Sequence, residues 1–263
     1  MEKLTNYTEV QTDDGSTTLY SKRYGESCHS TSGARAETNL HYIRGCKLPE
    51  LTQQQQEVNV LEVGFGTGIG FQETLALTEE NGCFLNFISF EIDSDLIIYV
   101  LQKLNLEYIK NEDYYQVQSS KYNLMIFYGN ARDKIKIIKK HFEAKFNAIY
   151  QDAFSPKRNS ILWTTEWFKE LKKLADTNCI MSTYSSSSSI RKSMLAAGWF
   201  VTKGEKFGPK RSSTRANTIG PSDQDITQHL KRSPAIEITD KNYREYKLEN
   251  SSDKVENEKN KNL

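Results

Sequence analysis

The chain lacks the features of a membrane, secreted or metal-binding protein. No stretch approaches the roughly 18–20 apolar residues that span a bilayer, and the first six residues contain no apolar signal region. The four cysteines are scattered without a CxxC pair, which argues against both a zinc site and a disulfide framework. The sequence therefore predicts a cytoplasmic protein with no membrane association and no bound metal.

The net charge is also close to zero, since the 263 residues include 35 Lys and Arg and 34 Asp and Glu. The charges are nevertheless unevenly distributed. Residues 156–215 hold 12 basic and 4 acidic side chains, which gives this segment a net charge of +8. A basic segment within an otherwise acidic chain indicates a surface that faces a polyanion. An ordinary solvated face rich in lysine is the alternative interpretation.

Between residues 58 and 221, short β-branched or apolar runs alternate with amphipathic segments. We predict strands over 58–63, 84–90, 124–128, 146–150 and 179–184, each followed by a helix, and a closing pair over 199–207 and 215–219. Strands separated by helices at this spacing predict an α/β fold with a mostly parallel, doubly wound sheet.

The two ends of the chain have a different character. Residues 1–57 predict a small extension, in which Asp14-Gly15 favours a hairpin turn and a helix follows that ends at Gly45. Apolar residues become sparse in 222–263, where Asn, Lys, Glu and Ser dominate. Such a segment buries too little surface to offset its ordering entropy. We therefore predict a mostly disordered tail, with a transient helix over about residues 243–248.

A glycine cluster lies between the first predicted strand and its helix. Glycines let the backbone approach a ligand closely, and the helix N-terminus presents unpaired N–H groups. The dinucleotide fingerprint GxGxxG is not completed, because Ile69 occupies its last position. GxGxG with an acidic residue two places before it is instead the pattern of class I S-adenosylmethionine-dependent methyltransferases, although an ordinary tight turn is the alternative. The predicted cofactor contacts are Glu62, Gly64, Phe65, Gly66, Thr67 and Gly68.

Polar side chains end the next two predicted strands. Glu91 ends the second strand, where a carboxylate can accept two hydrogen bonds from a ribose diol; Asp93 is the weaker candidate for this role. Asn130 follows the third strand, and its side chain can contact adenine, cap the next helix, or do both. Glu91 and Asn130 therefore join the predicted cofactor contacts.

The fourth predicted strand ends in Gln151-Asp152-Ala153-Phe154-Ser155-Pro156. A short acidic motif with a proline is typical of methyltransferases that act on amino groups. An alkylamine is protonated at neutral pH, so Asp152 can accept a proton and orient the lone pair beside the cofactor. Phe154 would add an aromatic wall near the cation. The alternative role of Asp152 is to cap the following loop.

Together these motifs resemble the methyltransferase domain of the MnmC family, which is called MnmD where it stands alone. The resemblance spans about residues 20–211. It is carried by the glycine loop, by Ser89-Phe90-Glu91, by DAFSP with Asn159 and Trp163, and by 191–198 and 203–211. Residues 29–34 with Glu37 resemble the standalone form.

The resemblance implies S-adenosylmethionine-dependent methylation of the exocyclic amine of 5-aminomethyl-(2-thio)uridine at the tRNA wobble position. It also implies that Asp152 is the catalytic residue and a cofactor contact, and that Glu91 binds the ribose. The family commonly has an acidic residue at the position of Asn130.

The implied partner is tRNA, held at its anticodon stem-loop by basic and aromatic side chains. The expected contacts are Phe154, Lys157, Arg158, Lys203, Lys206, Lys210 and Arg211. Relatives with two modules also carry an oxidase that prepares the amine. No second glycine-rich dinucleotide turn follows Phe168, so a separate enzyme system is expected to supply the aminomethyl uridine.

Two other functions stay open at this point. An aminopropyltransferase of the spermidine synthase type also pairs a glycine loop with an acidic residue after the fourth strand, but it would favour an acidic pocket over a basic segment. A non-catalytic RNA-binding module would explain the basic segment. It would not need Gly64, Glu91 and Asp152 at three strand ends.

Overall fold

The computed structural model describes residues 4–207 and 212–249, with side chains described as far as residue 246. Lys210 and Arg211, two of the expected tRNA contacts, lie outside the described residues, as do residues 250–263 of the predicted tail.

The strands form two sheets. The smaller sheet is N-terminal and contains β1 (Tyr7–Gln11), β2 (Thr17–Ser21) and β3 (Glu26–Ser27). The central sheet contains β4 (Glu57–Val63), β5 (Phe84–Glu91), β6 (Ile109–Lys110), β7 (Tyr114–Gln118), β8 (Tyr122–Tyr128), β9 (Phe146–Gln151), β10 (Ala175–Thr183), β11 (Phe200–Lys203) and β12 (Thr214–Asn217). Its order is β11-β12-β10-β9-β4-β5-β8-β7-β6.

The central sheet is parallel in its middle and antiparallel towards its edges. Strands β10, β9, β4, β5 and β8 pair in parallel, whereas β12 and the hairpin β6–β7 pair antiparallel to their neighbours. The chain runs outward from β4 to β8 and then returns to β9 on the other side of β4. Strand order therefore reverses between β4 and β9, and ligands of open α/β sheets bind at the carboxyl ends of such strands. The mostly parallel α/β fold is confirmed.

The helices cover both faces of this sheet. Their bounds are α1 (Ala34–Thr38), which continues as a π-helix over Asn39–Ile43, α2 (Leu48–Gln54), α3 (Ile69–Glu80), α4 (Ser94–Lys103), α5 (Ala131–Ile137), α6 (Thr165–Leu174), α7 (Ser188–Ala196), α8 (Gln224–Arg232) and α9 (Tyr243–Glu249), with short 3-10 turns at Ile138–Lys140 and Ser160–Trp163. No helix in the described ranges is both long enough and apolar enough to span a bilayer.

Strand β4 contributes side chains to the hydrophobic cores on both faces of the central sheet. Val58 and Val60 pack in the core beneath α3 and α4, whereas Leu61 and Val63 pack in the core formed with α5, α6 and α7. A strand buried on both faces explains why its sequence reads as a nearly continuous apolar run. The hairpin β6–β7 was not predicted from the sequence, because β6 has only two residues and both are exposed.

The prediction of disorder from residue 222 onward is wrong for residues 222–249, although α9 lies where the sequence predicts a transient helix. Ile226 and Leu230 of α8 and the following Ile238 are buried in the core. The Ile238 N–H donates to Ser193 Oγ over 2.8 Å, and its carbonyl accepts the Thr165 N–H over 2.8 Å. These few apolar residues suffice because they complete a core that other helices have already formed, instead of building one of their own.

The N-terminal hairpin agrees with the sequence prediction. Strands β1 and β2 pair antiparallel, and Gly15 in their turn has a φ of 79°. The predicted helix ends before Gly45, where a Cβ atom would lie 1.8 Å from the His41 carbonyl oxygen. Only glycine fits there.

Candidate active site

The carboxyl ends of β4, β5, β8 and β9 border one cavity of about 630 Å³. Its wall contains six of the residues that the sequence singled out, namely Gly64, Gly66, Glu91, Asn130, Asp152 and Phe154. The structure thus brings together at one edge of the sheet residues that lie as far apart as positions 64 and 154.

Close backbone approach explains the first glycine of the loop. Gly64 has a φ of 104°, and a Cβ atom there would lie 2.8 Å from the Asp152 carbonyl oxygen. The Asp152 N–H in turn donates to the Val63 carbonyl over 3.1 Å. The glycine loop and the segment after β9 therefore touch through their backbones, and a side chain at position 64 would separate them.

The Glu91 carboxylate is held in place by two backbone N–H groups. Gly66 donates to Oε2 over 3.1 Å and Asp93 donates to Oε1 over 3.0 Å. Burial raises the pKa of Glu91, while these hydrogen bonds act in the opposite direction. Each carboxylate oxygen has a second lone pair. The group can therefore accept two hydroxyl protons, which fits a ribose diol.

Asp93 and Asn130 both cap helices. Asp93 Oδ1 accepts the N–H groups of Asp95 and Leu96 at the start of α4. Asn130 Oδ1 accepts the Arg132 N–H over 3.0 Å at the start of α5, and Asn130 also lines the cavity. The capping role of Asn130 is thus confirmed, whereas its contact with adenine stays a prediction.

Four of the predicted cofactor contacts are not part of the cavity wall: Glu62, Phe65, Thr67 and Gly68. The Glu62 side chain turns away beneath α3, where Ser89 Oγ donates to it over 3.0 Å and a Cβ atom on Gly70 would lie 2.0 Å from Oε1. Burial raises the pKa of Glu62 well above its usual value. Phe65 is buried in the core and Gly68 precedes α3. These residues therefore support the glycine loop from the side of the core and not from the side of the cavity.

Asp152 stands at the reversal in strand order, with polar side chains of the N-terminal segment around it. The Tyr42 hydroxyl donates to its Oδ1 over 2.5 Å, and His29 Nε2 lies 4.0 Å from its Oδ2. The Asp152 side chain is 13% exposed. Its carboxylate is therefore mostly shielded from solvent yet opens into the cavity.

Sequence reasoning missed the roles of Tyr42 and His29. Burial and the nearby Asp152 raise the pKa of Tyr42 well above its usual value, so its hydroxyl keeps its proton. Burial lowers the pKa of His29 to about 4, so this imidazole is neutral at neutral pH. The backbone N–H of His29 donates to Thr18 Oγ1 over 3.1 Å, and the same oxygen lies 3.3 Å from the ring atom Nδ1 of His29. The likeness of residues 29–34 to the standalone family form was the one available signal.

The loop after Asp152 is fixed from three sides. Ser155 donates to the Glu26 carboxylate through its N–H, over 3.0 Å, and through its hydroxyl. The Trp163 indole N–H donates to the Phe154 carbonyl over 2.9 Å, and the Tyr184 hydroxyl donates to the Ala153 carbonyl over 2.9 Å. The N-terminal sheet and the 3-10 turn thus hold the segment that carries Asp152.

The charges of the cavity and of its surroundings differ in sign. Among the described residues, the carboxylates in the wall are Glu26, Glu37, Glu91 and Asp152, and no Lys or Arg accompanies them. The predicted tRNA contacts Lys157, Arg158, Lys203 and Lys206 are exposed and lie outside the wall. Among the predicted tRNA contacts that the structure describes, only Phe154 lines the cavity. The interior therefore suits a cation.

Comparison with known proteins gives consistent similarities. Residues 95–219 match a family described as S-adenosyl-L-methionine-dependent methyltransferase. The crystal structure of MNMC2 from Aquifex aeolicus aligns with 90% of this chain and 80% of its own, with a TM-score of 0.75 and 28% identity.

Two curated relatives are tRNA 5-methylaminomethyl-2-thiouridine biosynthesis bifunctional proteins MnmC. That of Burkholderia thailandensis is 28% identical over 233 residues, and that of Burkholderia multivorans is 26% identical over 233 residues. Each match covers 80% of this chain and 35% of the relative. The chain thus spans about a third of their length. The class I methyltransferase fold and S-adenosylmethionine as cofactor are confirmed.

Proposed function

We propose that this chain, a methyltransferase domain of the MnmC type, methylates the exocyclic amine of 5-aminomethyl-(2-thio)uridine at the wobble position of tRNA. One observation carries the proposal. The Asp152 carboxylate shares a cavity with the glycine loop and with Glu91. A group that accepts a proton therefore stands beside the groups that suit the cofactor.

The residues at the strand ends fit S-adenosylmethionine. Glu91 would accept hydrogen bonds from the ribose hydroxyls, and Asn130 would face the adenine. Gly64 and Gly66 would leave room for the methionine portion against the backbone. When bound, the cofactor supplies a methyl group on a positively charged sulfur.

Asp152 would prepare the amine for transfer. Tyr42 occupies one oxygen of the carboxylate, which directs the other oxygen towards the ligand. The substrate ammonium would give up one proton to Asp152, and this frees the nitrogen lone pair for methyl transfer. The acidic wall would attract the ammonium group before it loses that proton.

The exposed cations outside the wall would hold the RNA. Lys157 and Arg158 directly follow the loop that carries Asp152, and Lys206 directly precedes Phe207, which lines the cavity. Phosphate contacts at such positions would present the wobble base to the site. We further propose that the protein acts in the cytoplasm on tRNA whose aminomethyl group a separate enzyme system has made.

The acidic cavity wall is also compatible with one alternative function, that of an aminopropyltransferase. Four carboxylates around a cavity of this size would also suit a polyamine, as an aminopropyltransferase requires. That enzyme would use decarboxylated S-adenosylmethionine, and it would have no need for exposed cations beside the cavity.

A single set of assays separates these functions. The purified chain is incubated with S-adenosylmethionine and tRNA that carries 5-aminomethyl-2-thiouridine, and the digested nucleosides are analysed by mass spectrometry. We expect the methylaminomethyl nucleoside. Decarboxylated S-adenosylmethionine with putrescine is assayed in parallel, and a polyamine product there would establish the rival function. Binding of tRNA without transfer in either assay would indicate a non-catalytic RNA-binding module.

A further inference from the structure

We propose that Arg23 and Tyr24 of the N-terminal sheet form, together with Phe154, a stacking platform for the wobble base of tRNA. Arg23 and Tyr24 lie in the turn between β2 and β3, outside every motif described above. The inference rests on the proposed function and adds to it the surface that would recognise the base.

The three side chains lie next to one another at the cavity. The rings of Tyr24 and Phe154 are stacked, with centroids 4.3 Å apart and planes inclined by 19°. The Arg23 guanidinium carbon lies 5.5 Å from the Tyr24 ring centroid. Both aromatic rings line the cavity wall. An unpaired base stacks on aromatic rings and guanidinium planes of this kind, because every base has a π-face.

The platform is held rigidly to the catalytic loop. Glu26, two residues after Tyr24, accepts hydrogen bonds from both the N–H and the hydroxyl of Ser155, the residue after Phe154. These bonds tie the two ring-bearing segments together from parts of the chain that are distant in sequence. A platform that is already ordered costs less free energy when a ligand binds.

The charges around the platform match those of a modified nucleotide. Arg23, Lys157 and Arg158 are exposed outside the cavity, and Arg158 Nη2 lies only 3.6 Å from the Cβ position of Gly25. The wall inside is acidic, with Glu37 and Asp152 among its residues. A nucleotide docked here would place phosphate near the cations, its base on the aromatic rings and its aminomethyl cation towards Asp152. A polyamine has neither ring nor phosphate to engage this surface.

Replacement of Tyr24 tests the platform directly. An anticodon stem-loop RNA with a fluorescent pyrimidine analogue at the wobble position is titrated with the wild type, Tyr24→Leu and Tyr24→Phe. We expect Tyr24→Leu to raise the Kd about ten-fold and to remove most of the fluorescence change, since stacking on one base is lost. Tyr24→Phe should behave like the wild type. In methylation assays, Tyr24→Leu should raise the KM for tRNA while kcat stays nearly constant.

Tyr20→Leu is the matched control, because Tyr20 is an exposed tyrosine on the same hairpin and lies outside the cavity wall. Its binding and its fluorescence signal should equal those of the wild type. Calorimetric titration with S-adenosylmethionine should give the same Kd for every variant. If Tyr24→Leu proves unstable in thermal unfolding, Arg23→Gln replaces it, because Arg23 is exposed; we expect a several-fold rise in Kd.

Wild-type affinity and fluorescence for Tyr24→Leu, or for Arg23→Gln in its place, would overturn the platform. A different result would contradict the proposed function alone. The wild-type chain would then not methylate the tRNA, although RNA binding would still depend on Tyr24.

Discussion

The Tyr42 hydroxyl donates a 2.5 Å hydrogen bond to Oδ1 of Asp152, a residue 110 positions further along the chain. Tyr42 belongs to the π-helical turn of the N-terminal segment, whereas Asp152 follows β9 at the reversal in strand order. Burial keeps the phenol protonated. The N-terminal segment therefore orients the carboxylate that we propose as the proton acceptor.

Loss of the Tyr42 hydroxyl should slow catalysis without weakening cofactor binding. We expect Tyr42→Phe to lower kcat about ten-fold, since a hydrogen bond to a charged group contributes about 1.5–3 kcal/mol and Asp152 keeps its own charge. Steady-state kinetics and calorimetry with S-adenosylmethionine measure the two effects. Tyr150→Phe is the control, because the buried Tyr150 hydroxyl pairs with Thr74 and not with Asp152. Equal kcat values for the two variants would contradict the role of Tyr42.

Replacement of the acceptor itself should have a larger effect. We expect Asp152→Asn to reduce kcat by about 10²–10⁴-fold, the usual loss when a positioned proton acceptor is removed. Cofactor affinity should stay nearly unchanged, since Asn retains the shape of Asp. The rate is measured at saturating tRNA and S-adenosylmethionine. Turnover near that of the wild type would remove Asp152 from the mechanism.

Glu91 should determine cofactor affinity. We expect Glu91→Ala to weaken binding of S-adenosylmethionine by about 1.5–3 kcal/mol, the range for a hydrogen bond to a charged group, as measured by calorimetric titration. Asp93→Asn is the control, because Asp93 caps α4. That variant should keep the cofactor Kd and nearly all of its stability, since Asn caps a helix about as well as Asp. An unchanged Kd for Glu91→Ala would show that the ribose diol is bound elsewhere.

The sequence predicted the parts of the site that follow from strand topology. Carboxyl ends of parallel strands meet at one edge of the sheet, so Gly64, Glu91 and Asp152 were expected to converge, and they line one cavity. Tyr42 and His29 could not be found in this way. Their positions depend on how the N-terminal segment packs on the sheet, and no local pattern encodes that contact.

The direction of a side chain was equally hard to predict. Glu62 precedes the glycine loop in sequence, yet it turns beneath α3 towards Ser89, because the space there is made by Gly70, a residue of the next helix. Burial of the C-terminal segment was missed for a related reason. A run as short as Ile236-Glu237-Ile238 is too brief for a periodic signal, although Ile238 fills a core formed by α6 and α7.

Ile238 offers a direct test of that packing. We expect Ile238→Ala to reduce the free energy of unfolding by about 2–5 kcal/mol, the usual cost of truncating a fully buried isoleucine. Ile236→Ala is a matched control two residues away, since Ile236 is 60% exposed; its effect should stay within about 0.5 kcal/mol. Urea unfolding measures both. Equal stabilities for the two variants would mean that the segment from residue 222 does not pack on the core.

Lys157 and Arg158 should hold RNA through its phosphates. Both side chains are exposed and directly follow the loop that carries Asp152. Each phosphate contact releases counterions, so the logarithm of the affinity should fall with the logarithm of salt concentration by about 0.7–0.9 per contact. We expect the double variant Lys157→Ala/Arg158→Ala to raise the KM for tRNA and to flatten this slope by up to about two units. The cofactor Kd should not change, because Glu91 and the glycine loop are untouched.

The control variant removes two positive charges at the amino ends of the strands, on the side of the sheet away from the cavity. Helix α5 starts after the carboxyl end of β8 and runs back along the sheet, so the exposed Lys139 and Lys140 that follow it lie towards the amino ends of the strands. Lys139→Ala/Lys140→Ala should therefore leave the salt slope as in the wild type. Since both double variants lose two positive charges, a general change in net charge would affect them equally. Equal slopes for the two variants would place Lys157 and Arg158 on an ordinary solvated face, and the RNA would then have to bind through other cations.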